Sequence, residues 1–169
     1  MADKFLFNDA GERAEKEVII TSAGAGDSGK AIGLDNSGLL SVTFMPVGVG
    51  ADTVSLVTSE SLVAGDFVNI YDNGGTPTAR KANAGAVGTR AHGFVLAAST
   101  TPDAAQVYFE GNNNQLTGQT GGTGLFLATS AGDVSATAPT ETGEIVQKLG
   151  IAVSATQANV EIGDTITLA

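Results

Sequence analysis

Two stretches of the sequence align with each other at a constant spacing of 57 residues, and this repeat constrains the fold more than any other feature. Residues 65–71 (GDFVNIY) align with residues 122–128 (GTGLFLA), and at the same spacing Gly75 meets Gly132, Ala79 meets Ala136, Gly93 meets Gly150 and Ala98 meets Ala155. Phe94-Val95-Leu96 likewise falls on Ile151-Ala152-Val153, and a turn four residues shorter places Val107-Tyr108-Phe109 on Val160-Glu161-Ile162. Each unit, 62–111 and 119–169, has too few strands to close a core alone. We therefore expect the two to pair into one β-barrel or sandwich.

Strand signals dominate the rest of the chain and predict an all-β fold. Short runs rich in β-branched and aromatic residues lie between turn formers; they are Val18-Ile19-Ile20, Val54-Ser55-Leu56-Val57, Phe67-Val68-Asn69-Ile70-Tyr71, Gln106-Val107-Tyr108-Phe109, Leu125-Phe126-Leu127, Ile151-Ala152-Val153 and Ile166-Thr167-Leu168. The runs DNGG at 72–75 and DNSG at 35–38 predict tight turns, because Asn and Gly tolerate positive φ. Residues 10–17 hold good helix formers, but the stretch is short and has no apolar stripe.

Residues 1–50 do not join the repeat, and we predict that they form an extended N-terminal arm and linker preceding a β-rich body at 51–169. Residues 21–29 have the composition of a flexible linker, and Pro46 with Gly48 and Gly50 predicts the entry to the body. The arm has two apolar patches, which we predict to be interaction residues buried on a neighbouring subunit or a larger assembly: Phe5, Leu6, Phe7, Val18, Ile19 and Ile20.

The composition gives a thin core and an acidic surface. Ala, Gly, Ser and Thr supply 78 of 169 residues and Trp is absent, so we expect much of the stability to come from packing against other subunits. The net charge of −10 and the absence of a basic cluster argue against nucleic acid. No run approaches the length that spans a bilayer and the first residues are polar, so we expect no membrane partner and no signal peptide. We expect the protein to be synthesised in the cytosol.

No motif predicts a catalytic, cofactor or metal site. Residues 24–31 (GAGDSGKA) nearly match a phosphate-binding loop, but Ala31 replaces the Mg²⁺-binding hydroxyl and Asp27 places a negative charge in the cradle. His92 is the single histidine and cysteine is absent, which excludes a usual zinc site and favours a packed strand histidine over a catalytic base. Turn carboxylates that could hold Ca²⁺ have turn stabilisation as their more ordinary role; they are Asp66, Asp133 and Asp164. We therefore expect that this chain is not an enzyme.

Blocks in the same order along nearly the whole chain resemble small structural proteins of tailed bacteriophages, of the kind described as capsid decoration (cement), head-fibre or tail-fibre-like proteins. The blocks are TSAGAGDSGK at 21–30, LDNSGLL at 34–40, MPVGVGADT at 45–53, LVAGDFVNIY at 62–71, HGFVLA at 92–97, VYFEG at 107–111 and GEIVQKLGIAVSAT at 143–156. None is a chemical motif, so the resemblance assigns no functional residue.

The resemblance implies a virion component on the capsid surface, made in the host cytoplasm. Decoration proteins commonly form homotrimers and hold neighbouring capsomers together, so the implied partners are the major capsid protein and other copies of the chain. The alternative is an adhesin on a tail or head fibre that contacts the host surface. An adhesin would need exposed aromatic residues for stacking on sugars, and its candidates all lie in predicted strands: Tyr71, Tyr108 and Phe126.

Overall fold

The computed structural model describes residues 4–45 and 50–169, which form two compact units, Met1–Gly50 and Ala51–Ala169. We call them the N-terminal unit and the body. The described residues are strands, turns and three short 3₁₀ turns, without an α-helix, as the all-β prediction requires. None of the described helical segments has the length and apolar character that a membrane crossing needs. Pro46 and Gly48, predicted to mark the entry to the body, lie outside the described residues.

Fourteen strands follow one another along the described chain. In the N-terminal unit they are β1 (Lys4–Asp9), β2 (Glu12–Ile19) and β3 (Ala31–Ile32). In the body they are β4 (Thr53–Thr58), β5 (Phe67–Asn73), β6 (Thr76–Lys81), β7 (Gly93–Val95), β8 (Ala104–Tyr108), β9 (Glu110–Asn113), β10 (Gly124–Leu127), β11 (Val134–Ser135), β12 (Ile145–Ala152), β13 (Ala158–Glu161) and β14 (Thr165–Thr167).

Five strands of the body close a barrel in the order β4-β6-β5-β7-β8. Its closure depends on β4, which pairs in parallel with β6 and antiparallel with β8. The side chains that alternate inward fill the interior with a small core; the buried members are Leu62, Val68, Ala79, Val95, Ala105 and Val107. The predicted turn after β5 holds Gly74 and Gly75 at φ of 64° and 91°, as a two-residue hairpin loop requires.

The remaining strands of the body form an open sheet in the order β11-β10-β12-β13-β9, with β14 paired to β12. This sheet packs on the outside of the barrel through a second and larger core cluster, which joins Phe67 and Phe94 of the barrel to Leu125, Leu127 and Leu149 of the sheet. The body therefore has two cores, one inside the barrel and one between the barrel and the open sheet.

Strands β5 and β7 belong to both cores because their successive side chains point to opposite faces. Val68 and Val95 lie inside the barrel, whereas Phe67 and Phe94 point outward into the sheet–barrel core. All four side chains are fully buried. A buried glutamine adds a polar link between the two layers: the Gln147 side chain accepts from the Ala91 N–H (2.8 Å) and donates to the Ala91 carbonyl (2.9 Å).

The strand pairings allow a direct comparison of the two units that align in sequence. At a spacing of 57 residues, the β5–β7 pairs Phe67–Phe94 and Val68–Gly93 correspond to the β10–β12 pairs Gly124–Ile151 and Leu125–Gly150. The next pairing differs from the sequence alignment, because Val95 pairs with Val107 but Ala152 pairs with Ala158. The turn is thus six residues shorter in the second unit, not four. The first unit closes a barrel with β4, whereas the second lies in the open sheet, so the two do not share one barrel wall.

Glycine is required where β7 and β12 lie closest to the next strand. A Cβ on Gly93 would come within 2.6 Å of the Tyr108 carbonyl oxygen, and a Cβ on Gly150 would overlap the Asn159 carbonyl oxygen. Gly150 also has a φ of 144°, which favours glycine. The two glycines that align in sequence therefore serve the same close strand approach.

We expect Gly150→Ala to destabilise the body by about 1–3 kcal/mol, because the added methyl group would force β12 and β13 apart. Gly124 lies on the neighbouring strand with open space around its Cα and no positive φ, so Gly124→Ala is the matched control. Urea unfolding of the two variants would measure the difference. Equal stabilities for the two would contradict the assigned role of Gly150.

Candidate interaction surface

The interaction residues predicted from the sequence lie in the N-terminal unit, on or just after the hairpin formed by β1 and β2. These strands pair antiparallel from Lys4–Glu17 to Asp9–Glu12 without a bulge. The two-residue loop between them holds Ala10 at φ 52° and Gly11 at φ 100°. The Gly11 N–H also donates to Asn8 Oδ1 at 2.8 Å. Residues 4–19 therefore turn back on themselves and do not form one extended segment.

One face of the hairpin carries Phe5 and Phe7, and we call it the Phe face. Directly opposite residues of an antiparallel pair share a face, so Lys16 and Ala14 lie beside the two phenylalanines. The Phe5 and Phe7 ring centroids are 6.1 Å apart, and Lys16 Nζ lies 4.4 Å from the Phe7 ring centroid. Val18 lies two positions after Lys16 on β2, so its side chain points to the same side of the hairpin and extends this face.

The opposite face, here the Leu face, combines Leu6 and Ile19 with charged residues. Leu6 lies opposite Glu15, and Lys4 donates to Glu15 Oε2 at 2.7 Å. This ion pair raises the pKa of Lys4, with the Glu15 hydrogen bond as its main cause. Both partners are more than half exposed, so the pair adds little to stability in salt. The six predicted residues therefore do not form one patch: three lie on the Phe face, two on the Leu face, and Ile20 follows the strand.

The N-terminal unit has no core of its own in the part that the structure describes. Among residues 4–45 no side chain is buried. Phe5, Leu6 and Ile20 are 38%, 67% and 48% exposed, while Phe7, Val18 and Ile19 are half-buried. The sequence analysis missed further exposed apolar residues in this unit, because they lie in the two-residue strand β3 or in segments without strand periodicity: Ile32, Leu34, Leu39, Leu40, Val42 and Met45.

Residues 24–31, which nearly match a phosphate-binding loop, form a 3₁₀ turn closed by their own charges. Asp27 Oδ2 accepts from the Ala23 N–H at 2.6 Å, and Lys30 Nζ lies 2.9 Å from Asp27 Oδ1 and 3.0 Å from Glu17 Oε2. The Ala23 N–H, followed by Lys30, lowers the pKa of Asp27, while Asp27 and then Glu17 raise the pKa of Lys30. The lysine that would bind a phosphate is thus held by two carboxylates. The stretch predicted to be a flexible linker has a defined turn.

The single histidine lies in the body, half-buried beside β5. Its Nδ1 accepts from the Ile70 N–H at 2.9 Å, and Arg90 Nε lies 3.0 Å from Nε2 as a second donor. A neutral imidazole has one accepting nitrogen, so the two donors compete for it and protonation would leave neither with an acceptor. Burial, followed by the positive charge of Arg90, lowers the pKa of His92. These contacts fit a packed histidine, but His92 lies one residue before β7 and not within a strand as predicted.

The three aspartates considered for Ca²⁺ lie in different settings. Asp66 is buried, accepts from the Val63 N–H and lies 3.2 Å from Lys81 Nζ, whereas Asp133 and Asp164 are exposed. Within residues 4–45 and 50–169, no group of three or more His, Asp or Glu residues is placed to hold a metal ion. Asp66 acts as a turn and ion-pair residue.

Ala10 occupies a backbone conformation that costs a non-glycine residue about 1–3 kcal/mol, and asparagine tolerates it better. We expect Ala10→Asn to slow hydrogen exchange of the β1 amides and Ala10→Val to accelerate it, because a β-branched residue fits a positive φ worst. Exchange measured by NMR on the full chain would test this. The same exchange rates in both variants would contradict the Ala10-Gly11 turn.

The lowered pKa of His92 predicts a loss of stability on mild acidification. Below the ordinary value of 6.5 the unfolded chain binds a proton that the folded chain does not, so the free energy of unfolding falls as the pH falls. In His92→Asn the amide oxygen can accept from the Ile70 N–H but does not titrate. Urea unfolding between pH 7.5 and 5.5 should show a smaller decline for this variant than for the unmodified chain. Equal slopes would contradict the prediction.

No protein-family model matches this chain, and no curated protein matches it with significance. Its function is therefore inferred from its own residues and their geometry.

Proposed function

We propose that this chain is a capsid decoration protein of a tailed phage. In this proposal the chain is a non-enzymatic virion component that binds the outer surface of the assembled shell and stabilises it. Its partners are the major capsid protein and other copies of the chain, assembled as a homotrimer. The N-terminal unit makes the contact with the shell, and the body is the folded part that the contact holds in place.

The observation that carries the proposal is the contrast in burial between the two units. The body has two core clusters with fully buried side chains. Residues 4–45 have none, although they carry nine exposed large apolar residues, namely Phe5, Leu6, Ile20, Ile32, Leu34, Leu39, Leu40, Val42 and Met45. Apolar surface on this scale gains free energy when a partner covers it, by roughly 25 cal/mol per Å² of apolar area. The N-terminal unit is therefore the part of the chain that a partner completes.

A capsid shell is a suitable partner because it offers many identical sites. A protein that binds the assembled lattice, but not its dissociated subunits, stabilises the lattice by mass action. Linked copies of the chain multiply a weak contact through effective concentration. Several modest apolar contacts per trimer would then resist the internal pressure of packaged DNA at the joints between capsomers.

The fibre-adhesin alternative has less support in the positions of its candidate aromatic residues. Tyr108 stacks on Phe94 beside the body core, with ring centroids 5.6 Å apart. Tyr71 is covered by the Arg80 guanidinium at 4.3 Å, and Phe126 is half-buried on β10 of the open sheet. The three side chains lie in three different settings and do not form an aromatic platform on which a sugar could stack.

The proposal is tested with shells that lack the protein. The full chain should co-sediment with them and raise the temperature at which they release DNA, whereas deletion of residues 1–20 should abolish both effects. In a sharper comparison, Phe5→Ser combined with Phe7→Ser should weaken binding at least tenfold, because it removes the aromatic surface of the Phe face.

Ile166→Ser is the control, since Ile166 is 66% exposed but lies on β14 of the body, outside the proposed binding surface. Full binding and full heat resistance after deletion of residues 1–20 would reject the assigned role of the N-terminal unit. Cryo-EM of the intact particle would separate the two functions: many copies over the icosahedral surface support decoration, whereas a few copies at the tail would support the adhesin.

A further inference from the structure

Strand β1 is an edge strand with one paired side in the described structure. The sheet of the N-terminal unit has the order β1-β2-β3, and β1 pairs with β2 over all six of its residues without a register shift. The other side of an edge strand presents N–H and C=O groups that can pair with another strand. The second edge of this sheet, β3, is only two residues long, so β1 is the edge that can form an extended ladder.

The free edge of β1 lacks the features that usually prevent strand addition. Natural edge strands are protected by proline, by bulges or by charges in their middle. The middle of β1 is Phe5-Leu6-Phe7-Asn8, which contains none of these, and its charges, Lys4 and Asp9, lie at the two ends. A six-residue edge strand with an unprotected, largely apolar middle can therefore pair with another strand.

We propose that β1 pairs antiparallel with β1 of a second copy of this chain, with Leu6 opposite Leu6 of the second copy. Two identical antiparallel strands in one sheet are related by a two-fold axis perpendicular to the sheet, so each face of the first sheet continues in the second. Residues that lie opposite each other are therefore both at odd or both at even positions, and the central residue of the register lies opposite its own copy. The registers to compare are those centred on Phe5, Leu6 and Phe7.

The side chains select the register centred on Leu6. In this register five residues of β1 meet five of the second copy: Leu6 faces Leu6, Phe5 faces Phe7 and Lys4 faces Asn8, so no like charges meet within Lys4–Asn8. The register centred on Phe7 places both Phe5 rings opposite Asp9, and the register centred on Phe5 pairs only Lys4, Phe5 and Leu6 of the described strand. The first alternative sets aromatic rings against carboxylates and the second pairs three residues of β1 where the register centred on Leu6 pairs five, with two aromatic pairs that stabilise the cross-strand contact.

The pairing joins two N-terminal units into one six-stranded sheet. Four phenylalanines, two from each copy, then lie next to each other on the continuous Phe face. This contact is two-fold, so it links different copies from those that a three-fold contact between bodies would join. It goes beyond the proposed function, since it needs no shell, and it can be tested with the purified chain alone.

The natural absence of cysteine makes the register measurable with single cysteine variants. Opposite residues of an antiparallel pair have Cα atoms about 4.5–5.5 Å apart, within the range that a disulfide spans. Leu6→Cys should therefore form a disulfide-linked dimer under mild oxidation, at least tenfold faster than its matched control Asn8→Cys. Asn8 lies on the same face of β1, but in this register the two Asn8 residues are four positions out of alignment, or about 13 Å apart.

Equal cross-linking rates for Leu6→Cys and Asn8→Cys, or no cross-linking of Leu6→Cys at any protein concentration, would overturn the proposal. A second measurement guards against a variant that disturbs the hairpin. A mixture of Phe5→Cys and Phe7→Cys should give the mixed dimer in excess over either self-linked dimer, because these positions face each other. Random proportions would also overturn the register. Because no shell is present, failure here leaves the shell-binding test of the proposed function unaffected.

Discussion

The burial of β5 and β7 on both faces is the constraint on which the body depends. Phe67 with Val68, and Phe94 with Val95, turn into two different cores while remaining fully buried. The barrel interior and the sheet–barrel interface are therefore held by the same two strands. The composition suggested a thin core completed by other subunits, but the body encloses its own core. The exposed apolar surface that the proposed function assigns to a partner lies in residues 4–45, where no side chain is buried.

The large share of small residues has a structural reason in the body. Gly93 and Gly150 allow β7 and β12 to approach the backbone of the next strand, and the cluster between barrel and sheet includes five buried alanines, namely Ala82, Ala84, Ala91, Ala152 and Ala158. Small side chains let strands and loops pack closely, so few aromatic residues are needed to fill the space. Close strand packing within one chain therefore accounts for much of the high content of small residues.

The sequence predicted those strands whose own residues carry a β pattern, and it failed where pairing depends on distant partners. The apolar runs at β4, β5, β8 and β10 were predicted, whereas β6 (Thr76–Lys81) and β9 (Glu110–Asn113) are polar and become strands by pairing with β5 and β13. Closure of the barrel through β4 is equally non-local. The six residues predicted to interact were chosen by hydrophobicity, but their division between two faces follows from strand alternation and from the β1–β2 register. That register is set by a turn at Ala10, a residue that gives no turn signal.

Under the proposed function, a partner would supply the N-terminal unit with order as well as with contact. Within the hairpin the contacts are backbone pairing, one exposed ion pair and a lysine over Phe7. Outside it, β3 pairs with two residues of β2 and Lys30 forms an ion pair with Glu17. Such contacts barely offset the entropy of ordering a small sheet without a buried core. A partner that covers the Phe face or extends β1 therefore orders the unit as it binds, and part of the binding free energy is spent on that ordering. Substitutions that pre-order the hairpin should therefore tighten association, although they do not contact the partner. Changes at the Ala10 turn and changes on the Phe face would then shift the same equilibrium, between the free, poorly ordered hairpin and the bound, ordered one.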